Sequence, residues 1–176
     1  MPLILNFETG GDSDEPIGDD GGVEYDLAQS FTVGASDSPV NRVALYLKKH
    51  NTITDAITVR IETNGADVPS GTLVDAGATT TITPTSTSYE WITASFPVTF
   101  SLTAATKYWI KCTIGNQASN EKYSWQRDVS NGYAGGGGSV STDGGAFASE
   151  DAANDYYFRI YSPEADGVNR SYSFVI

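Results

Sequence analysis

Apolar and polar residues alternate with period two along most of the chain, and no stretch sustains the 3.6-residue period of an amphipathic helix. The clearest run is Lys107-Tyr-Trp-Ile-Lys-Cys-Thr-Ile114, closed by Gly115-Asn116. Extended, it puts Tyr108, Ile110, Cys112 and Ile114 on one apolar face, which predicts core. Lys107, Trp109, Lys111 and Thr113 share the other face. Two ammonium groups flank an indole there, so that face is expected to meet solvent or a partner. Similar alternation marks residues 2–7, 27–33, 43–48, 57–62, 89–94, 96–102, 123–127 and 156–161, with a weaker edge strand within 72–83. Pro97 predicts a bend or an edge position. Residues 8–24 and 130–149, rich in Gly, Asp and Ser, are expected to be loops, and residues 171–176 a final extended segment.

Roughly nine or ten strands with turns between them predict an all-β fold, a two-sheet antiparallel β-sandwich of jelly-roll-like topology. The sandwich domain is expected over residues 27–162. An N-terminal extension and acidic loop, 1–26, precede it, and a C-terminal extension, 163–176, follows. Val59, Ile61, Tyr108, Ile110, Cys112 and Phe158 should be buried, and Arg60, Lys107 and Lys111 largely exposed.

Composition narrows the partners. At 176 residues the chain suits one domain with its own core. Its 22 acidic and 10 basic residues give a net charge of −12, which argues against nucleic acid, since phosphate binding needs a basic footprint. No run approaches the ~18 apolar residues of a membrane span, so no membrane insertion is expected. The opening Met1-Pro-Leu-Ile-Leu-Asn-Phe7 is apolar but lacks the basic start and full-length apolar region of a secretory leader. Either the chain is used without secretion or a leader has been removed. Cys112 is the sole cysteine, so no intrachain disulfide forms and the redox compartment is undetermined.

Candidate chemistry is sparse. Asp12, Asp14, Glu15, Asp19 and Asp20 cluster in one acidic stretch. Asp12, Asp14, Asp19 and Asp20 are candidate ligands for a structural Ca²⁺, a hard ion that favours carboxylate oxygens. Their spacing departs from an EF-hand loop, and the plainer reading is a solvated acidic loop. No other cofactor is expected. His50, the single histidine, sits in Lys48-Lys-His-Asn51 with no nucleophile elbow in the chain, and reads as an exposed turn residue. Cys112 reads as a buried, inert thiol. The Gly135–Gly138 run lacks the Lys-Ser/Thr ending of a phosphate loop and leads into no helix. A carboxylate pair for glycoside hydrolysis is defined by its spatial separation, and the acids here lie mostly in predicted turns. Aromatics carry the best binding signal, because Trp and Tyr join a broad apolar face to a polar tip. Among Trp91, Trp109, Trp125, Tyr133, Tyr157 and Tyr161, the candidates for stacking a sugar ring are Trp109, Trp125 and Tyr133. The plainer reading places them in the core.

Several segments carry a family resemblance. These are Ala28-Gln-Ser-Phe-Thr-Val-Gly34, Val43-Ala-Leu-Tyr-Leu47, and Val59-Arg-Ile-Glu-Thr-Asn64 with Pro69-Ser-Gly-Thr-Leu73. Leu102-Thr-Ala-Ala-Thr-Lys-Tyr-Trp-Ile110, Trp125 and Tyr157-Phe-Arg-Ile160 complete the set. Together, residues 27–161 resemble the β-sandwich called the choice-of-anchor R domain, found in bacterial surface and phage-related proteins. The resemblance implies a sandwich fold and a surface role, and its motifs are structural ones.

The expected function is therefore that of a non-enzymatic structural protein at a virion surface, a phage capsid decoration or tail- or fibre-associated protein. It would act through contacts with other virion proteins or copies of itself. The β-prone ends supply the candidate assembly contacts, Leu3, Leu5, Tyr172, Phe174 and Ile176. The alternative is an extracellular or cell-surface carbohydrate-binding module that uses exposed Trp and Tyr to bind glycans.

Overall fold

The computed structural model describes residues 2–130 and 132–163. Its strands are β1 (Leu3–Phe7), β2 (Ser13–Asp20), β3 (Val23–Thr32), β4 (Ser38–Lys49), β5 (Ile57–Asn64), β6 (Pro69–Leu73), β7 (Thr79–Ile82), β8 (Glu90–Leu102), β9 (Lys107–Thr113), β10 (Lys122–Asp128), β11 (Gly138–Thr142), β12 (Asp155–Tyr156) and β13 (Phe158–Tyr161). The fold is all-β and antiparallel. The strands form one connected network in the order β1-β13-β4-β10-β2-β3-β9-β5-β6, with β8 added to β4, β11 to β3, β7 to β5 and β12 to β10. Tyr157 is a splice point: its N–H donates to Gln126 O on β10 and its C=O accepts from Tyr46 N on β4. One hydrophobic core serves the whole network. Tyr172, Phe174 and Ile176 lie outside the described residues.

The six residues expected in the core are buried: Val59, Ile61, Tyr108, Ile110, Cys112 and Phe158. The two runs around Pro97 join into the single strand β8. Its ladder with β4 slips at this point, the partner of Val40 being Phe100 and that of Arg42 being Ser95. Pro97 falls in the resulting bulge, where no ladder donor is required.

Two expected loops contain strands. Residues 8–24 hold β2, which lies between β10 and β3. Its acids obscured it in the sequence, yet three of them are matched by bases on other strands, Asp14 by Lys48 of β4, and Glu15 and Asp20 by Arg127 and Lys122 of β10. Ile17 supplies the apolar anchor at full burial. The β2–β3 turn is the two-residue Gly21-Gly22, whose φ values of 69° and 92° suit a tight hairpin that only glycine enters without strain. Residues 130–149 hold β11, paired with β3 from Gly138↔Gln29 to Thr142↔Tyr25.

The outer face of β9 is also corrected. Trp109 has no exposed surface, and Arg60, Lys107 and Lys111 are half-buried. The chain that follows β11 returns over this face. Phe147 lies under the Lys111 ammonium, 5.1 Å from Nζ to the ring centroid, and Glu150 Oε2 meets Lys107 Nζ at 2.9 Å. The two lysines flank Trp109 at i−2 and i+2, so one covering segment that meets both closes over the indole. Glu150 N also donates to Asp67 O, tying the cover to the β5–β6 turn.

Candidate functional site

β3 and β9 pair Ser30 with Trp109 and Thr32 with Lys107. Thr32 and Lys107 line a depression of about 430 Å³, walled by Tyr133, Gly135, Gly136 and Glu150. The glycine run descends onto β3 as its lid. Ser30 N donates to Gly137 O at 2.9 Å, and Gly137 N donates back to Ser30 Oγ at 2.8 Å. Ser30 Oγ in turn donates to Glu150 Oε2 at 2.6 Å. A Cβ at Gly136 would overlap Ser30 O and Oγ, and one at Gly137 would lie 2.6 Å from Asp151 O. The run is therefore glycine because it is packed against backbone.

Lys107 sits at the rim of this depression with Nζ 3.0 Å from Asp67 Oδ1 and 2.9 Å from Glu150 Oε2. Burial works against its charge, but the hydrogen bonds it donates to Glu150 and then Asp67 outweigh this and hold the ammonium above its usual pKa. The positive charge is thus already matched by two carboxylates. One ammonium against two carboxylates leaves no surplus positive charge at the rim to attract an anion.

Neither candidate sugar-stacking indole presents a free face, and Tyr133, which lines the depression, is only 9% exposed. Trp109 is buried and donates Nε1–H to Asn64 Oδ1 at 2.9 Å. Trp125 is buried, donates to Tyr157 O at 2.8 Å and stacks on Tyr156 with centroids 4.8 Å apart. Tyr133 is buried between Phe7 and Phe158, with centroids 5.6 and 5.3 Å away. Their burial agrees with the plainer reading, that these rings are core: both indole N–H groups find partners inside the fold, whereas the Tyr133 hydroxyl is buried without a hydrogen-bond partner. Trp91 is half-buried beneath the Arg159 guanidinium, 3.9 Å from its ring centroid, and Tyr157 is buried in the same aromatic layer, stacked on Tyr46.

The four candidate calcium ligands do not converge. Asp12 accepts from Val129 N, Asp14 holds Lys48 and the Tyr89 hydroxyl, Asp19 accepts from Gly22 N and Asn120 N, and Asp20 pairs with Lys122. Asp12 precedes β2 and the other three are spread along it, and each carboxylate is committed to a different protein group. Among the described residues no group of three or more metal-type side chains comes together.

His50 is half-buried, and its Nε2 lies 2.8 Å from Ser124 Oγ. This pairing of a base with a hydroxyl is invisible in sequence, because 73 residues separate the two partners. Ser124 is buried mid-strand on β10, flanked by its ladder partners Pro16 and Lys48. Burial, then the charges of Lys48 and Lys122, lower the His50 pKa, which favours neutral imidazole. The pair lines none of the cavities described and serves as a cross-strand hydrogen bond. Cys112 is fully buried, and burial raises its thiol pKa well above the ordinary value, which leaves it unreactive.

A carboxyl pair also missed in the sequence is Asp128 and Asp155, register partners on β10 and β12 and both buried. Asp128 Oδ1 accepts from Ser130 N at 2.8 Å, and Asp155 Oδ2 accepts from Tyr133 N at 2.9 Å. Asp155 Oδ1 is buried with no partner in hydrogen-bonding geometry. Burial pushes the Asp155 carboxyl up to about 6, against the favourable Tyr133 N–H, and the neighbouring Asp128 charge adds to the rise. This pair anchors both ends of the segment that carries Tyr133 to the depression.

No protein-family model matches the chain, and no match is found among curated proteins.

Proposed function

We propose that this chain is a non-enzymatic structural protein of a virion surface, a capsid decoration or tail- or fibre-associated protein, that works through β-sandwich contacts with neighbouring subunits. The virion setting rests on the resemblance of residues 27–161 to surface and phage-related sandwiches. The observation that carries the contact role is β1. It stands at one end of the strand order and pairs with β13 alone among the described residues. Its sequence Leu-Ile-Leu-Asn-Phe carries no charge, and Leu3 is 48% exposed. Edge strands are ordinarily guarded by charge, proline or cover, because an open row of backbone groups templates pairing with another chain. An unguarded edge in a chain of net charge −12 is suited to a partner.

The test is Leu3→Lys. The side chain is already exposed, so the domain should keep its unfolding midpoint while incorporation into particles, or self-association of the pure protein, falls. Normal incorporation of a correctly folded L3K protein would remove β1 from the assembly contacts.

A further inference from the structure

We propose that the depression over Thr32 and Lys107 is a binding site for a neutral, polyhydroxylic ring of monosaccharide size. This inference is independent of the assembly role, which rests on β1. A volume of about 430 Å³ falls at the small end of the ~300–1,000 Å³ typical of ligand pockets, which suits a single ring and not a chain of them. Thr32 on β3 and Lys107 on β9 are register partners, so their side chains stand side by side on one face. Glu150 reaches the same place from the returning segment and holds the Lys107 ammonium.

Charge selects the class of ligand. Lys107 is matched by Asp67 and Glu150 in a chain of net charge −12, so an anion gains no attraction here. A cation would have to share the Glu150 carboxylate with an ammonium already 2.9 Å from it. An apolar molecule would cover hydrogen-bonding groups without replacing their water. A neutral molecule that both donates and accepts is left, and the depression holds matching groups for it. The Lys107 ammonium spends two of its three N–H groups, on Asp67 Oδ1 and Glu150 Oε2. Glu150 Oε2 also accepts from Ser30 Oγ, whereas Oε1 has no hydrogen bond among the described residues. The Thr32 hydroxyl has none among them either. A donor, an acceptor and a group that is both thus stand on neighbouring side chains. Adjacent hydroxyls offer that combination, each donating and accepting, while a single amide offers one of each. With Tyr133 only 9% exposed, recognition falls to hydroxyl groups and not to ring stacking.

The experiment is amide NMR on the full chain, titrated separately with glucose, galactose and N-acetylglucosamine. At least one sugar should give saturable shifts at Thr32, Lys107, Gly135, Gly136 and Glu150, with a Kd of about 1 mM, while the β4–β8 ladder stays unmoved. Thr32→Val removes one hydroxyl at nearly constant shape and should weaken that binding about three- to tenfold. Ala152→Trp, at an exposed position on the wall, should fill the depression and abolish the shifts while leaving the unfolding midpoint unchanged. Absence of saturable shifts with all three sugars would overturn the proposal. So would shifts that survive in A152W, or an affinity unchanged in T32V, since either places the sugar elsewhere. Acetamide acting on the same amides at the same concentration would overturn the assignment to a polyhydroxylic ligand.

Discussion

The rings of Phe31 and Phe158 lie with centroids 6.1 Å apart, although their strands share no ladder. Phe31 is on β3, bonded to β2, β9 and β11, and Phe158 is on β13, bonded to β1 and β4. With no common neighbour between them, β3 and β13 meet across the core and not along the sheet. The connected network therefore turns back on itself, and this contact is one of its clasps. Tyr133 adds to it, edge-on against Phe158 at 5.3 Å. Phe158→Ala should remove about 3–5 kcal/mol of stability. Urea unfolding checks this, and a loss comparable to that of a surface substitution would mean the clasp is not formed.

Trp109 tests the covering segment. A residue on a solvent face tolerates truncation within about 0.5 kcal/mol, whereas a buried indole does not. Trp109→Ala should cost about 3–5 kcal/mol. Trp109→Phe retains most of the ring but removes the donor to Asn64 Oδ1, and should cost about 1–3 kcal/mol. Equilibrium unfolding of both variants, with native tryptophan emission as a second readout, decides between the two environments.

The Asp128–Asp155 pair makes stability depend on pH in a definite direction. Asp155 titrates near 6 in the folded chain against an ordinary value of 3.8, so the folded state holds its proton more tightly. Its contribution is fully present below the unfolded pKa and is lost as pH rises through about 6. Asp155→Asn retains an oxygen for the Tyr133 N–H and removes the charge. It should stabilise the protein by about 1–3 kcal/mol at pH 7.5 and give little or no gain at pH 4. Urea unfolding at both pH values measures the difference, and a gain that is equal at the two would show that proton binding is not its source.

Gly136→Ala probes the lid. The added methyl must displace the Ser30 backbone or hydroxyl, both fixed by bonds to Gly137 and Glu150. Overpacking of this kind costs about 1–3 kcal/mol. Hydrogen exchange should show faster opening at Ser30 and Gly137 than in the parent, with the β4–β8 ladder unchanged.

Period-two alternation was enough to specify the all-β class and the core face of β9, because side-chain direction in a strand depends only on position along it. The same local rule explains why Val59, Ile61 and Phe158 could be assigned to the interior. It failed for β2, whose carboxylates look like a loop until Lys48, Arg127 and Lys122 arrive from other strands to match them. It failed also for the outer face of β9. Whether Trp109 meets water depends on the path of residues 143–150, a segment with no pattern of its own. The His50–Ser124 bond, the Asp128–Asp155 pair and the depression beneath the glycine run are likewise products of tertiary structure. Each joins residues from separate strands or loops, and no local propensity encodes such a meeting. Alternation determines which way a side chain points, and only the folded chain decides what it finds there.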